Sequence, residues 1–136
     1  MKVTISRKAH FNAAHRLFNP NWNDQQNHEV FGKCSNPNFH GHNYEMIVSI
    51  KGEIDPETGF VMNLDILKGI ILTEVEEYLD HKNLNVEVEE FKTLNPTVEN
   101  IAVVIWNRIR KKLKPELELK ITLFETPRNF VEYEGD

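Results

Sequence analysis

The chain has 136 residues, with 16 Lys+Arg against 21 Asp+Glu and a formal net charge of -5. That length predicts one domain over residues 1–136. The lone cysteine excludes an internal disulfide or a Cys-rich zinc ribbon, and the acidic balance argues against nonspecific nucleic-acid binding. The start of the chain lacks the apolar stretch of a signal peptide, and the run Ile101 to Trp106 falls far short of the ~20 residues of a membrane span. A soluble, cytoplasmic protein is the expectation.

The first 15 residues read as a strand. Val3, Ile5, Phe11, Ala13 and His15 share one parity, which Arg7 interrupts, and a bulge is one explanation. Residues 16–39 read as a long loop rich in Asn, Pro, Asp and Gln, and such loops are often functional. From His42 to Ile50 the even positions His42, Tyr44, Met46, Val48 and Ile50 form one face of a strand. Asp55-Pro56-Glu57-Thr58-Gly59 signals a turn, with Phe60-Val61-Met62 as a short return strand. Leu64, Leu67, Ile71, Val75 and Tyr78–Leu79 fall at helical spacing behind Asn63 as N-cap. Val98, Ile101, Ala102, Ile105, Ile109 and Leu113 give a second stripe, capped by Asn95 or Thr97 and stopped by Pro115. Leu117, Leu119, Ile121 and Leu123 alternate as a strand. Thr126 to Asn129 turns, and Phe130 to Tyr133 ends the pattern. The order β-β-β-α-α-β-β predicts an α+β layer, an antiparallel sheet with both helices on one face. Open sheet edges make oligomerisation by strand pairing plausible.

Six histidines are the unusual resource. His40 and His42 stand two apart at a strand start, so both imidazoles leave the same face. Imidazole is a good zinc ligand, and His15, ending the first strand on the parity of Phe11 and Ala13, is the natural third. Three such ligands leave a position open for water or substrate. His10 and His28 have no such partner and read as structural or solvent-exposed. Cys34, in a loop bounded by Gly32 and Pro37, is either an inert buried thiol or, near a dication and beside Lys33, a thiol of lowered pKa able to act as base or nucleophile. Asp80-His81 ends the first helix and has the composition of a proton relay, although neighbours in sequence need not face each other. Glu125 continues the apolar parity of Leu117 to Leu123. A carboxylate there needs a partner, and a ligand with several N–H donors supplies one. Glu99 suits the first turn of its helix.

Together these pieces resemble the 6-pyruvoyl-tetrahydropterin synthase family. The resemblance runs over nearly the whole chain. It is carried by Phe11-Asn12-Ala13-Ala14-His15-Arg16-Leu17, Phe31-Gly32-Lys33-Cys34, Asn36-Pro37-Asn38 and His40-Gly41-His42-Asn43-Tyr44. Gly52-Glu53-Ile54-Asp55-Pro56, Val61-Met62-Asn63-Leu64, Leu79 to Leu84, Thr97-Val98-Glu99-Asn100 and Glu125-Thr126 add to it. It implies a tunnelling fold (T-fold): a four-stranded antiparallel sheet with two antiparallel helices, three subunits closing a barrel and two trimers stacking into a hexamer. It also implies zinc on His15, His40 and His42, Cys34 as catalytic base, and Asp80 and His81 as a relay acting across a subunit boundary. Glu125 is implied as the pterin anchor, with Thr97 and Glu99 on the pterin side. The implied reaction converts 7,8-dihydroneopterin triphosphate to 6-pyruvoyl-tetrahydropterin with loss of triphosphate.

Two other readings stand beside it. A sister enzyme, 6-carboxy-tetrahydropterin synthase, takes the same substrate but releases acetaldehyde; it typically has three residues between its cysteine and His-Gly-His. Here Ser35 to Phe39 intervene, which favours the pyruvoyl type. A catalytically silent pterin binder would need no base, so Cys34, Asp80, His81 and Glu125 together argue against it. A zinc nucleobase deaminase lacks its Pro-Cys-x-x-Cys and His-x-Glu elements here. Arg16, Lys33, Lys82 and Arg128 are candidates to hold the triphosphate, and Phe39, where the family often has Gly, departs from the pattern.

Overall fold

A computed structural model describes residues 1–136. Strands β1 (Lys2–His15) and β2 (His40–Glu53) form a long antiparallel pair, from Lys2 opposite Glu53 to His15 opposite His40. The register runs unbroken, so no bulge accounts for Arg7. The inner face is instead poorly covered at that end: Val3 is exposed, and Ile5, Arg7 and Ala9 are half-buried. A long side chain there keeps its charged head in water. Burial becomes complete at Phe11, Ala13 and His15.

β4 (Glu118–Phe124) pairs antiparallel with β2, and β5 (Phe130–Tyr133) pairs antiparallel with β4. These are the four antiparallel strands expected. A fifth, β3 (Lys82–Asn83), runs parallel to β1 at Ala13 and Ala14, giving the order β3-β1-β2-β4-β5. The return strand expected at Phe60–Met62 does not form. Gly59 N–H donates to Asp55 O at 2.7 Å and Asp55 N–H to Phe60 O at 2.9 Å, closing a local turn. Val61 and Met62 then dock on the core as loop residues.

Helix α2 (Leu64–Ile71) starts as expected at Asn63, whose side chain accepts from the Asp65 N–H at 2.8 Å. It passes through a π turn (Leu72–Glu76) into the short α3 (Glu77–Leu79). A π turn leaves carbonyls without regular partners. The Arg108 Nε–H supplies one, donating to Glu74 O at 2.8 Å. Helix α4 (Leu84–Glu87) is a single turn. Helix α5 (Val98–Arg110) is capped by Thr97, whose hydroxyl accepts from the Asn100 N–H at 3.2 Å.

Most of each stripe buries as its spacing predicts, although Leu64 at the head of the first is exposed. Leu67, Ile71, Val75 and Leu79 join Ile101, Ile105 and Ile109, all buried, against Phe11, Tyr44, Met46, Val48, Ile50, Ile121 and Leu123. Each such side chain contributes about 1.5–3 kcal/mol by leaving water.

Residues 16–39 are not all loop. Helix α1 (Asp24–Phe31) is capped by the Asn23 side chain, which accepts from the Gln26 N–H at 2.7 Å. Its residues carry too little apolar periodicity to announce a helix. Buried Asn27 holds it in place: its amide accepts from the Asn19 N–H at 2.7 Å and donates to Asn19 O at 3.1 Å. A 3-10 turn (Gly32–Ser35) follows directly and carries Cys34.

Candidate active site

The β1–β2 register builds the histidine cluster. His15 sits opposite His40 and Ala13 opposite His42, so the three imidazoles emerge on the inner face at one end of the sheet. One ring nitrogen from each lies within 4.8 Å of the others. Their tautomers follow from their partners. A carbonyl only accepts, so the Nδ1–H of His15 donates to Pro96 O at 2.7 Å, leaving Nε2 as a lone pair. That Nε2 faces His40 Nε2 at 2.9 Å. His42 Nε2 and His40 Nδ1 are buried without a partner.

Buried polar atoms are normally satisfied. Three ring nitrogens crowded together, one orphaned, fit a cation held among them. Zn–N bonds of about 2.0–2.1 Å in tetrahedral geometry need nitrogens roughly 3.3 Å apart, a separation that lies between the 2.9 Å of the His15–His40 pair and the 4.8 Å limit of the cluster. The carbonyl behind His15 is the outer partner that metal-bound histidines usually have. Burial, and then the neighbouring His40 and His42, holds His15 in its neutral, ligating form, with its pKa lowered to about 4 against the upward pull of the Pro96 carbonyl. His40 is lowered too, chiefly by burial and then by His42. The Tyr44 hydroxyl lies 3.3 Å from His15 Nδ1, and its ring stacks on Phe11 with centroids 5.0 Å apart. On the sequence Tyr44 was only one more member of the apolar face.

Cys34 joins this cluster. A cavity of about 450 Å³ is lined by Cys34, His40 and His42, together with His28, Gly32, Lys33, Ser35 and Asn36. No carboxylate lines it. His28, read as a bystander on the sequence, is therefore part of this wall; its signal was absent because α1 was not foreseen. Without a metal, burial, and then the charge of Glu125, pushes the thiol above its ordinary value, and the lowering expected for it depends on a dication beside it. Lys33 does not reverse this.

Glu125 lies just past the end of β4, half-buried, with its N–H donating to Asn129 O at 3.1 Å. Its charge is felt at Cys34, His40 and Tyr44, so it borders the same site. Its carboxylate has no hydrogen-bond or ion-pair partner within the chain.

Asp80 and His81 do face each other. His81 adopts φ 60, and this left-handed bend turns its ring back so that Nδ1 lies 2.9 Å from Asp80 Oδ2. The Asn12 main chain fixes the bend from both sides: its N–H donates to Asp80 Oδ1 at 2.8 Å, and its carbonyl accepts from the His81 N–H at 2.6 Å. The Asn12 bond, then His81, holds the Asp80 carboxyl below its ordinary value. Of this pair, His81 lines a different cavity, about 500 Å³, shared with His42, Lys82 and Glu87 but not with Cys34. Within one chain, then, the thiol and the dyad do not share a wall.

Thr97 uses its hydroxyl as a helix cap, and Glu99 is exposed in the first turn. Both follow Pro96, whose carbonyl touches His15, so the start of α5 sits beside the cluster. The widest cavity, about 740 Å³, lies elsewhere, between Thr4, Lys51, Trp106 and Glu118, and holds no ligating cluster.

Comparison with known proteins places the chain in a family. The family model described as 6-pyruvoyl tetrahydropterin synthase matches residues 4–136. The 6-pyruvoyl tetrahydrobiopterin synthase of Homo sapiens is 45% identical over 99% of this chain and 93% of its own length. That of Drosophila melanogaster is 46% identical over 96% of this chain and 79% of its own. The solved 6-pyruvoyl tetrahydropterin synthase of Caenorhabditis elegans superposes with a TM-score of 0.93 at 40% identity, covering 100% of this chain and 97% of that one. The chain belongs to the 6-pyruvoyl tetrahydropterin synthase family.

Proposed function

We propose that this protein is a zinc-dependent 6-pyruvoyl-tetrahydropterin synthase that converts 7,8-dihydroneopterin triphosphate to 6-pyruvoyl-tetrahydropterin with elimination of triphosphate. The observation that carries the reading is the common cavity of Cys34, His40 and His42, with His15 behind them. His15, His40 and His42 are the residues that would hold zinc. When bound, zinc supplies stabilisation of negative charge developing on the substrate side-chain oxygens.

The chain supplies the rest. Glu125, without an internal partner, accepts hydrogen bonds from the ring N–H edge of the pterin and orients it. Cys34, as thiolate, takes a carbon-bound proton from the side chain. Asp80 holds the Nδ1–H of His81, so Nε2 is the nitrogen free to return a proton. The net change is an internal tautomerisation plus an elimination, and no redox cofactor is needed. Thr97 and Glu99 lie on the pterin side of the pocket.

The separate cavities of Cys34 and the dyad support a site completed between subunits. β1 pairs with β3 only at Ala13 and Ala14, so most of its outer edge has no strand partner in the chain. β5 leaves a second open edge. Three copies pairing such edges close a barrel, and two trimers give the hexamer.

Incubation of the zinc-loaded protein with 7,8-dihydroneopterin triphosphate, with mass analysis of the pterin and assays for triphosphate and acetaldehyde, tests the reading. The pyruvoyl product with triphosphate is expected. Acetaldehyde formed in step with triphosphate would reassign the protein to the carboxy reaction.

A further inference from the structure

Helical backbone ends with carbonyls that lack helical donors. At the end of the Gly32–Ser35 turn two of them are satisfied by one short stretch of chain. The Leu17 N–H donates to Cys34 O at 2.8 Å, and the Arg16 Nε–H donates to Ser35 O at 2.8 Å. Arg16 is itself held firmly. Its N–H donates to Asn85 Oδ1 at 2.8 Å, and its carbonyl accepts from Asn85 Nδ2 at 2.9 Å. Its guanidinium lies 4.0 Å over the Phe18 ring. It directly follows His15. Arg16 is absent from the wall of the cavity that holds Cys34, His40 and His42, whereas Lys33 lines it.

We infer that Arg16 is a positioning residue for Cys34: its Nε–H, bonded to the Ser35 carbonyl, locks the cysteine-bearing turn to the strand end that carries His15. It is not a phosphate contact. The consequence for turnover rests on the reading of Cys34 as the base; the lock itself does not.

The test compares Arg16→Ala and Arg16→Lys with the wild-type protein. Cys34 is the only cysteine, so iodoacetamide reports on it alone. Both variants are expected to keep wild-type zinc content and a KM within about twofold, while kcat falls about tenfold or more, as misplaced catalytic groups do. Alkylation of Cys34 is expected to quicken by about threefold or more as the half-buried thiol is freed. Methylguanidine added to Arg16→Ala is expected to restore both slow alkylation and turnover. Lysine keeps the charge but lacks the Nε–H of arginine, so full activity in Arg16→Lys would overturn the inference. So would a raised KM at unchanged kcat, which marks a phosphate contact, or wild-type alkylation and kcat in both variants. Loss of zinc would also overturn it, placing the effect on His15. If Arg16→Ala does not fold, Arg16→Lys decides on the same readouts. A wild-type protein that leaves dihydroneopterin triphosphate untouched would remove the functional reading, and the alkylation rates would still decide the role of Arg16.

Discussion

His15 shows how one side chain is prepared as a candidate metal ligand. Its parity was legible, because position 15 shares a face with Phe11 and Ala13. Its tautomer was not, because the fixing partner is a main-chain carbonyl 81 residues away. Burial with a pKa near 4 has a cost in acid. In the unfolded chain the ring takes a proton near its ordinary 6.5; in the folded, metal-free chain it resists until about 4. The unfolded state therefore binds more protons across that window, and stability present above 6.5 is lost as pH falls toward 4. The metal-free protein is expected to lose on the order of 3 kcal/mol between those limits through this residue. Chemical denaturation at pH 7 and at pH 4.5, with wild type beside His15→Gln, measures it; an equal acid loss in both proteins would contradict the assignment. Two substitutions divide the roles at the site. Cys34→Ala is expected to keep zinc and lose turnover by at least about 10², and full activity would remove the thiol from the chemistry. His40→Ala is expected to lose both metal and activity, and wild-type zinc by metal analysis would sink the ligand set.

At the level of elements, the hydrophobic alternation and the two helical stripes were readable because they follow the periods 2 and 3.6. The elements that escaped were those held by polar contacts. α1 exists through the Asn23 cap and the buried Asn27 amide rather than an apolar face. β3 is two residues that pair only because the His81 bend delivers them to β1. The dyad was legible as composition, but its closure depends on a left-handed φ that no pattern in the sequence announces. Phe60–Met62 shows the converse, apolar residues that look like a strand but form a loop, with Val61 and Met62 packed on the core and Phe60 exposed. The choice between Asn95 and Thr97 as cap is resolved toward Thr97, with Asn95 Oδ1 instead accepting from the Phe18 N–H at 3.2 Å. Thr97→Ala is expected to destabilise the fold by about 1 kcal/mol. Because α5 begins beside His15, zinc affinity is expected to weaken with it. Thermal melting and a competing chelator read the two effects separately, and a melting point equal to wild type would count against the cap.

Across the whole molecule, no helix is long and apolar enough to cross a membrane. The net charge of -5 contrasts with a cavity wall that carries Lys33 and no carboxylate, although Glu125 acts on it from nearby, so any attraction for an anion is local. The proposed hexamer predicts that light scattering gives about six times the 15.9 kDa chain mass. It also predicts that mixing Cys34→Ala with His81→Ala subunits restores activity absent from either alone. A monomer with full activity would contradict a site shared between copies.

The unbroken pairing of β1 with β2 has a meaning for descent as well as geometry. A single-residue insertion or deletion between Phe11 and His15, or between His40 and Tyr44, would send an imidazole to the opposite face and unseat the core with it. Residues 36–39, between the Cys34 turn and β2, escape that constraint, because they lie outside the paired strands. The histidine cluster is thus tied to the same register as the core, whereas a change of length at 36–39 would alter the reach from Cys34 to the histidines and leave each imidazole on its face.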